Sequence, residues 1–274
     1  MLHDFSYHRP GTLSEALDFL AHHGSESAVL SGGTDLFVVI RAGVVAPDHV
    51  VDLKGIPELS ELTWDPDEGL SVGACVTVND LIDAPAVAEH FPVLRAAGHE
   101  LATFQLRNRA TMVGNLVTAS PCGDMGSPLL TLGAEVVLRS VRGERRMPVG
   151  QFITGVKRTL IERDEIVERI IISPSWADAT GGYHKLKRIK GHDLGVVSVA
   201  MIRKADTLRC AISSAAPTPI LLPDITLPTS TEAVQETAQK MISPIDDVRC
   251  TKEYRAFMVG IFIKRLMQEL EAAA

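Results

Sequence analysis

The sequence has few cysteines, and they are not grouped. Cys75, Cys122, Cys210 and Cys250 lie far apart, and no C-x-x-C pair occurs. Zinc sites and iron–sulfur clusters usually place two cysteines within a few residues of each other. We therefore expect no metal or cluster on this chain and four reduced thiols, as is usual in a cytoplasmic protein.

Long hydrophobic runs and basic runs are absent as well. The longest apolar stretches, such as Leu36–Ile40 and Gly195–Ile202, are far too short to span a bilayer. The segment Met1–Arg9 carries charged side chains where a signal peptide needs an apolar core. The net charge is −7 and the pI is near 5.7, which disfavours nucleic acid and anionic membranes as partners. We expect a cytoplasmic protein with no membrane span.

The chain is long enough for two domains. It has 274 residues, of which 46% are hydrophobic, and this length exceeds the usual size of a single domain. The polar segment Ser173–Gly182 is the expected boundary. Beyond it the pattern predicts strands first and helices last, which is typical of an α+β domain. The expected elements there are strands Tyr183–Ile189, Gly195–Arg203 and Leu208–Ser214 and helices Thr231–Met241 and Asp247–Glu271.

The first segment suited to ligand binding is the glycine turn Ser31–Asp35. It follows a strand at Ser27–Leu30, expected to be buried, and leads into a helix that ends near Arg41. Two consecutive glycines without Cβ atoms allow a backbone to approach a pyrophosphate, and a helix N-terminus adds a partial positive charge. The turn does not match the G-x-G-x-x-G pattern of the Rossmann fold.

A second segment is rich in small polar residues within an otherwise apolar chain. It reads R-N-R-A-T-M-V-G-N-L over residues 107–116 and continues as T-A-S-P-C-G-D over residues 118–124. We expect this segment to form a loop. Packing alone rarely requires so many small polar residues in succession, so the segment is a second candidate for ligand binding.

The second segment resembles the flavin loop of the FAD-binding, or medium, subunit of the molybdenum hydroxylases. The family includes xanthine dehydrogenase, carbon monoxide dehydrogenase and 4-hydroxybenzoyl-CoA reductase, and its pattern is I-R-N-x-(A/G)-T-(I/V)-G-G-N-(I/L)-x-x-A-S-P-x-(A/G/S)-D. The similarity extends along nearly the whole chain. Further landmarks in family order are F-S-Y-H-R-P at 5–10, S-G-G-T-D-L at 31–36, V-D-L at 51–53, Y-H-K at 183–185, A-A-P-T-P-I at 215–220 and K-E-Y-R at 252–255.

The resemblance implies non-covalent FAD and a set of residues that contact it. Those residues are Val29, Leu30, Ser31, Gly32, Gly33, Thr34, Asp35 and Leu36 around the pyrophosphate, Thr111, Gly114, Asn115 and Thr118 in the second loop, and Asp124 and Lys185 beside the flavin. The Lys185 ammonium would stabilise the anionic reduced flavin. The implied fold is an α+β FAD-binding domain of the vanillyl-alcohol oxidase/p-cresol methylhydroxylase type, residues 1–174, with two subdomains divided near residue 54. A smaller α+β domain, residues 175–274, follows.

The resemblance further implies an electron-transfer subunit without catalytic residues of its own. Electrons would come from two-iron clusters on a small subunit, ultimately from molybdopterin on a large subunit, and pass through FAD to NAD⁺ or another acceptor. Two alternatives remain open. One is a stand-alone flavin-dependent reductase similar to the enzyme that reduces UDP-N-acetylenolpyruvoylglucosamine, although residues 175–274 contain no proton-donor constellation for such a substrate. The other is a flavin-free scaffold subunit.

One position departs from the family pattern. Val113 replaces the first glycine of the G-G-N motif. Valine is poorly suited to positive φ and blocks close backbone approach, so we expect either a β conformation at this position or altered cofactor binding. On this reasoning, Val113→Gly would restore about one hydrogen bond to FAD and tighten its binding roughly fivefold.

Overall fold

The computed structural model describes residues 3–189, 191 and 193–273, and its first structural unit is a small parallel sheet. The strand order is β1-β3-β2, so the last strand in sequence is the middle one in space. The elements are β1 (Ser6–His8), α1 (Leu13–His23), β2 (Ser27–Leu30), α2 (Leu36–Arg41) and β3 (His49–Asp52). Parallel strands need crossover connections, and α1 and α2 provide them.

The beginning of α1 is encoded locally, by the capping pattern T-L-S-E at residues 12–15, whereas the burial of β2 differs from the sequence prediction. The Thr12 hydroxyl accepts a hydrogen bond from Glu15 N at 3.2 Å and caps the helix. Leu17 and Leu20 then face the core. The prediction of a buried β2 is wrong: of its four residues only Leu30 is buried, because β2 is an edge strand of the sheet.

The second unit is a five-stranded antiparallel sheet in the order β4-β5-β10-β6-β7. Its central strand β10 pairs with β5 on one side and with β6 on the other. Six short helices connect β5 to β6. The elements are β4 (Leu62–Asp65), β5 (Gly69–Gly73), α3 (Val78–Asp83), α4 (Pro85–His90), α5 (Pro92–Glu100), α6 (Phe104–Arg107), α7 (Met112–Val117), α8 (Gly126–Thr131), β6 (Glu135–Ser140), β7 (Gly143–Pro148), α9 (Val149–Phe152), β8 (Ile153–Gly155), β9 (Arg158–Thr159) and β10 (Ile166–Ile172).

The third unit is an antiparallel sheet followed by two helices, as the sequence predicts. Its elements are β11 (Thr180–Leu186), β12 (Val197–Lys204), β13 (Thr207–Ser213), β14 (Ile220–Leu221), β15 (Ile225–Thr226), α10 (Thr231–Met241) and α11 (Lys252–Ala272). Several boundaries differ from the prediction by one to five residues. β11 begins inside the segment expected to be a linker, and α11 begins at Lys252 rather than Asp247, because the Thr251 hydroxyl caps it by accepting from Tyr254 N at 3.3 Å.

Both faces of the third sheet are covered. On β12, Val197, Val199 and Met201 pack in the core beneath α11, while Ala200 and Ile202 join the large core that includes α5 and the second sheet. Residues alternate between the two faces because the side-chain period of a strand is two. Within the described residues, no helix is both long and apolar enough to cross a membrane.

Candidate functional site

The two segments that the sequence singles out are in direct contact. Ser31 Oγ donates a hydrogen bond to the Ala74 carbonyl at 2.7 Å and lies 3.2 Å from Thr111 Oγ1. Gly32 packs so closely on the Arg109 carbonyl that any Cβ at residue 32 would overlap it. The first glycine of the turn is therefore required by the contact between the segments.

A partly buried ion pair supports the first turn. Lys54 Nζ donates to the Ser31 carbonyl at 2.9 Å and lies 2.6 Å from Asp52 Oδ1, while the Tyr7 hydroxyl donates to the other oxygen of Asp52. Burial alone would raise the pKa of Asp52, but the hydrogen bonds from Lys54 and Tyr7 outweigh it and hold that pKa below its usual range. The carboxylate therefore stays ionised and orients Lys54 towards the turn.

The backbone of the turn fits an anionic ligand. Gly33 has a φ of 76°, which is the left-handed region that glycine adopts without strain. Within the described part of the chain, no other residue accepts a hydrogen bond from the backbone N–H groups of residues 32–35. Successive unbonded N–H groups in a turn form a concave site for phosphate. The α2 helix that follows has only six residues, so its dipole contributes little to this site.

Part of the second segment, Met112–Val117, is a helix at the place where a loop is expected. Thr111 is the residue before α7, and its Oγ1 accepts a hydrogen bond from Gly114 N at 2.9 Å. An added Cβ at Gly114 would lie 2.8 Å from that oxygen. The Thr111 oxygen thus caps α7 and contacts Ser31 simultaneously, which makes it a link between the two segments.

Asn115 and Thr118 connect α7 to the loop that carries Asp124. Asn115 Oδ1 accepts a hydrogen bond from Met125 N at 3.1 Å, and Thr118 ends the helix by donating its N–H to the Gly114 carbonyl. The next residue, Ala119, has a φ of 46°. A non-glycine residue in this region costs on the order of 1 kcal/mol, and such residues are frequent at functional sites.

Asp124 and Lys185 form a buried ion pair. Lys185 Nζ lies 2.8 Å from Asp124 Oδ2, and the side chains are only 1% and 9% exposed. The Lys185 ammonium also donates to the Glu100 carbonyl at 3.1 Å, and the Tyr183 hydroxyl donates to Asp124 Oδ1 at 2.9 Å. Burial raises the pKa of Asp124, and the charge of Lys185 opposes that rise. Asp124 and Lys185, which the resemblance implies as two separate flavin contacts, therefore form a single ion pair.

The third unit also supports this loop, through residues that the sequence analysis did not name as site residues. Ser214 N donates to the Pro121 carbonyl at 2.8 Å, and Arg255 Nη1 donates to the Ser214 carbonyl at 2.7 Å. Arg249 Nη1 lies 2.7 Å from Cys122 Sγ. The sequence contains one signal that could have indicated this support: Arg255 is an arginine inside the apolar face of α11, and it is 2% exposed. A buried arginine needs specific partners. Here Nη1 donates to the Ser214 carbonyl and Nη2 lies 3.0 Å from Asp247 Oδ1 in an ion pair, while Nε has no hydrogen-bond partner among the described residues.

Of the two alternatives expected for Val113, the β conformation is wrong, whereas altered cofactor binding stays a prediction. Val113 lies within α7, and its side chain is 4% exposed and belongs to the main core. A valine in a helix needs neither positive φ nor a special backbone path. The valine is thus a packing residue, and the substitution for glycine leaves the helix intact.

Comparisons with known proteins agree with this geometry. A family model described as the FAD binding domain in molybdopterin dehydrogenase matches residues 3–176. The chain is 31% identical over 278 residues to the carbon monoxide dehydrogenase medium chain of Hydrogenophaga pseudoflava, covering 96% of each. It is also 31% identical over 284 residues to the putative xanthine dehydrogenase FAD-binding subunit of Escherichia coli K12, covering 98% of this chain and 97% of that protein.

A solved structure shows that the fold is similar as well. The carbon monoxide dehydrogenase from Hydrogenophaga pseudoflava that lacks the Mo-pyranopterin moiety superposes with a TM-score of 0.90 at 29% identity, covering 98% of this chain and 97% of that one. The chain therefore belongs to the family of FAD-binding subunits of molybdopterin dehydrogenases, and it is an oxidoreductase subunit.

Proposed function

We propose that this chain binds one FAD, non-covalently, on the surface formed by residues 31–35, α7 and the loop that carries Asp124. The observation that carries the proposal is the contact of Gly32 with Arg109 and of Ser31 with Thr111, which brings both candidate segments together beside the unbonded N–H groups of the turn. When bound, FAD supplies a centre that accepts single electrons and can donate a hydride.

Each residue group has a distinct role in this proposal. The backbone of Val29–Leu36 surrounds the pyrophosphate, with the Thr34 hydroxyl as an additional donor. Thr111 and Gly114 keep the start of α7 close to the turn, while the Asn115 amide and the Thr118 hydroxyl face the cofactor. Lys185, neutralised in part by Asp124, keeps a positive charge near the flavin, which stabilises negative charge on it in the reduced state.

We further propose that the chain acts within a hetero-oligomer. Electrons pass from iron–sulfur clusters on a small subunit, which receive them from molybdopterin on a large subunit, and leave through FAD to NAD⁺ or another acceptor. The support is the whole-chain likeness to a protein named as a medium chain. The third unit is similar to the medium chain as well. This similarity disfavours the stand-alone reductase, which would need a substrate domain of its own in that part of the chain.

The domain organisation and location belong to the same proposal. Residues 1–174 form the FAD-binding domain of the vanillyl-alcohol oxidase type, with subdomains divided near residue 54, and residues 175–274 form the second domain. The support is the change from parallel pairing up to Asp52 to antiparallel pairing from Leu62 onwards. We propose a cytoplasmic location, which the four free cysteines favour.

The test compares Gly32→Ala with Gly11→Ala. The first substitution forces the Arg109 carbonyl away, whereas an added Cβ at Gly11 would lie 3.8 Å from Glu15 Oε2, an ordinary contact. Losing about two hydrogen bonds to the pyrophosphate should weaken FAD binding roughly 25-fold in Gly32→Ala. Gly11→Ala should bind as the wild type does.

The readout is a fluorescence titration of apo-protein with FAD, and acid precipitation should release flavin with the mass of FAD. Equal affinity in both variants would contradict the assignment of the turn. A wild-type protein that binds no FAD at all would instead favour the flavin-free scaffold.

A further inference from the structure

A second cluster of ligand-type side chains lies on the first sheet, outside the proposed flavin surface. His23 is the last residue of α1, Glu26 lies three residues later and His49 is the first residue of β3. One possible ligand atom from each lies within 4.8 Å of the other two. His8 of β1 extends the cluster, because its Nε2 is 3.1 Å from His49 Nδ1.

The backbone of the sheet holds these residues together. His49 is the register partner of Ser27, the residue directly after Glu26, and Asp48 N donates to the Glu26 carbonyl at 2.9 Å. On the other side His49 is the partner of Ser6, and His8 lies two residues further along β1 on the same face. The cluster thus draws on the three neighbouring strands of the sheet: Glu26 directly precedes β2, His49 begins β3 and His8 ends β1. Strand pairing holds these positions rigidly.

The imidazole rings are also held by packing. The rings of His23 and His8 each have their centroid 5.0 Å from that of His49, and the Phe19 ring lies 4.8 Å from His23 and 5.3 Å from His49. Aromatic packing reduces the rotamer freedom that binding would otherwise remove. The side chains of His23 and Glu26 are 45% and 56% exposed, so an ion can reach the cluster from solvent.

Although the cysteine spacing predicts no metal on this chain, we propose that His23, Glu26 and His49 bind one divalent transition-metal ion, with His8 positioning the His49 ring. Imidazole and carboxylate donors suit Zn²⁺ and similar ions. Bonds of roughly 2.0–2.1 Å in tetrahedral geometry place ligand atoms about 3.3 Å apart, which small rotations of the exposed His23 and Glu26 side chains can achieve. A partner such as His8 on the second nitrogen of a ligand histidine is a common feature of metal sites.

The site has a structural consequence for the chain. An ion at this cluster would tie the end of α1 and the start of β2 to β3. β2 is only four residues long and leads directly into the turn Ser31–Asp35. Because a ligand that binds only the folded state stabilises it, the metal would raise the melting temperature. This inference does not depend on the proposed electron-transfer role.

The experiment is a titration of the metal-free, purified full chain with Zn²⁺, followed by calorimetry and thermal unfolding. Wild type should bind one ion and melt at a higher temperature in its presence. His23→Gln and His49→Gln should each lower the affinity at least tenfold, the smallest effect expected even for residues that only orient a ligand. The matched control is His22→Gln, an exposed neighbour in the last turn of α1 that lies outside the cluster and should bind as wild type.

Circular dichroism of each variant without metal separates ligand loss from misfolding, and the visible spectrum of bound Co²⁺ reports nitrogen and oxygen coordination. The proposal is overturned if wild type takes up no stoichiometric Zn²⁺. It is equally overturned if His22→Gln loses as much affinity as His23→Gln, because that result would describe non-specific binding by surface histidines.

Discussion

Replacing Val113 by glycine should destabilise the protein and leave its affinity for FAD no higher. The side chain is buried in the core on α7, so glycine removes methyl groups that pack in that core. This is opposite to the effect expected from the family pattern alone, in which glycine would improve the approach of the backbone to the cofactor.

The magnitude has two parts. Truncating a buried valine to the size of alanine costs about 2 kcal/mol, since each buried methyl or methylene group contributes roughly 1 kcal/mol including the cavity left behind. Glycine in a helix costs about 1 kcal/mol more than alanine. The free energy of unfolding should therefore fall by about 3 kcal/mol. For a chain of this size that corresponds to a melting temperature lower by roughly 6–12 °C.

Thermal unfolding of Val113→Ala and Val113→Gly separates the two parts, because alanine removes packing and keeps helix propensity. Val117→Ala is the matched control: it lies on the same helix but is only half-buried, so its loss should be smaller than that of Val113→Ala. FAD titration of the same variants completes the test. A Val113→Gly protein that melts at the wild-type temperature and binds FAD several-fold more tightly would refute this account of the position.

Three further outcomes are expected. Lys185→Met should lower the free energy of unfolding by about 3–5 kcal/mol because it leaves the Asp124 carboxylate buried without its partner, and adding Asp124→Asn should recover part of the loss in a denaturant melt. The pKa of Asp52 is held below its unfolded value of about 3.9, so the stability that its carboxylate contributes is complete above that pH and is lost as the pH falls below it. In a pH series of urea unfolding midpoints, Asp52→Asn should therefore lose less stability in acid than the wild type does. Parallel curves would argue against the ion pair. Mass mapping after brief iodoacetamide treatment at pH 8 should find Cys250 labelled in the folded protein and Cys210 labelled only after unfolding, since burial raises the pKa of Cys210 to about 12; early labelling of Cys210 would show that its strand opens.

Features encoded in short stretches could be predicted from the sequence. The Thr12 cap, the strand-turn-helix around Gly32 and Gly33, and the order of strands and helices after residue 180 all depend on neighbouring residues. The ordered landmarks along the chain likewise indicated the family without any knowledge of contacts. These signals are local because capping, turn formation and hydrophobic periodicity act over a few residues.

Contacts between distant residues were decided by the tertiary structure. Arg109 lies beside Gly32, Lys185 beside Asp124, and His49 beside Glu26. The family resemblance implies that Asp124 and Lys185 contact the same flavin, but no spacing or periodicity in the sequence predicts any of these three direct contacts. The packing of the sheets brings them together, so each contact depends on the whole fold. The same holds for Val113, where the family pattern suggested a cofactor contact and the surrounding core makes it a buried helix residue. Burial depends on everything that surrounds a side chain, and a short motif contains only its neighbours along the chain.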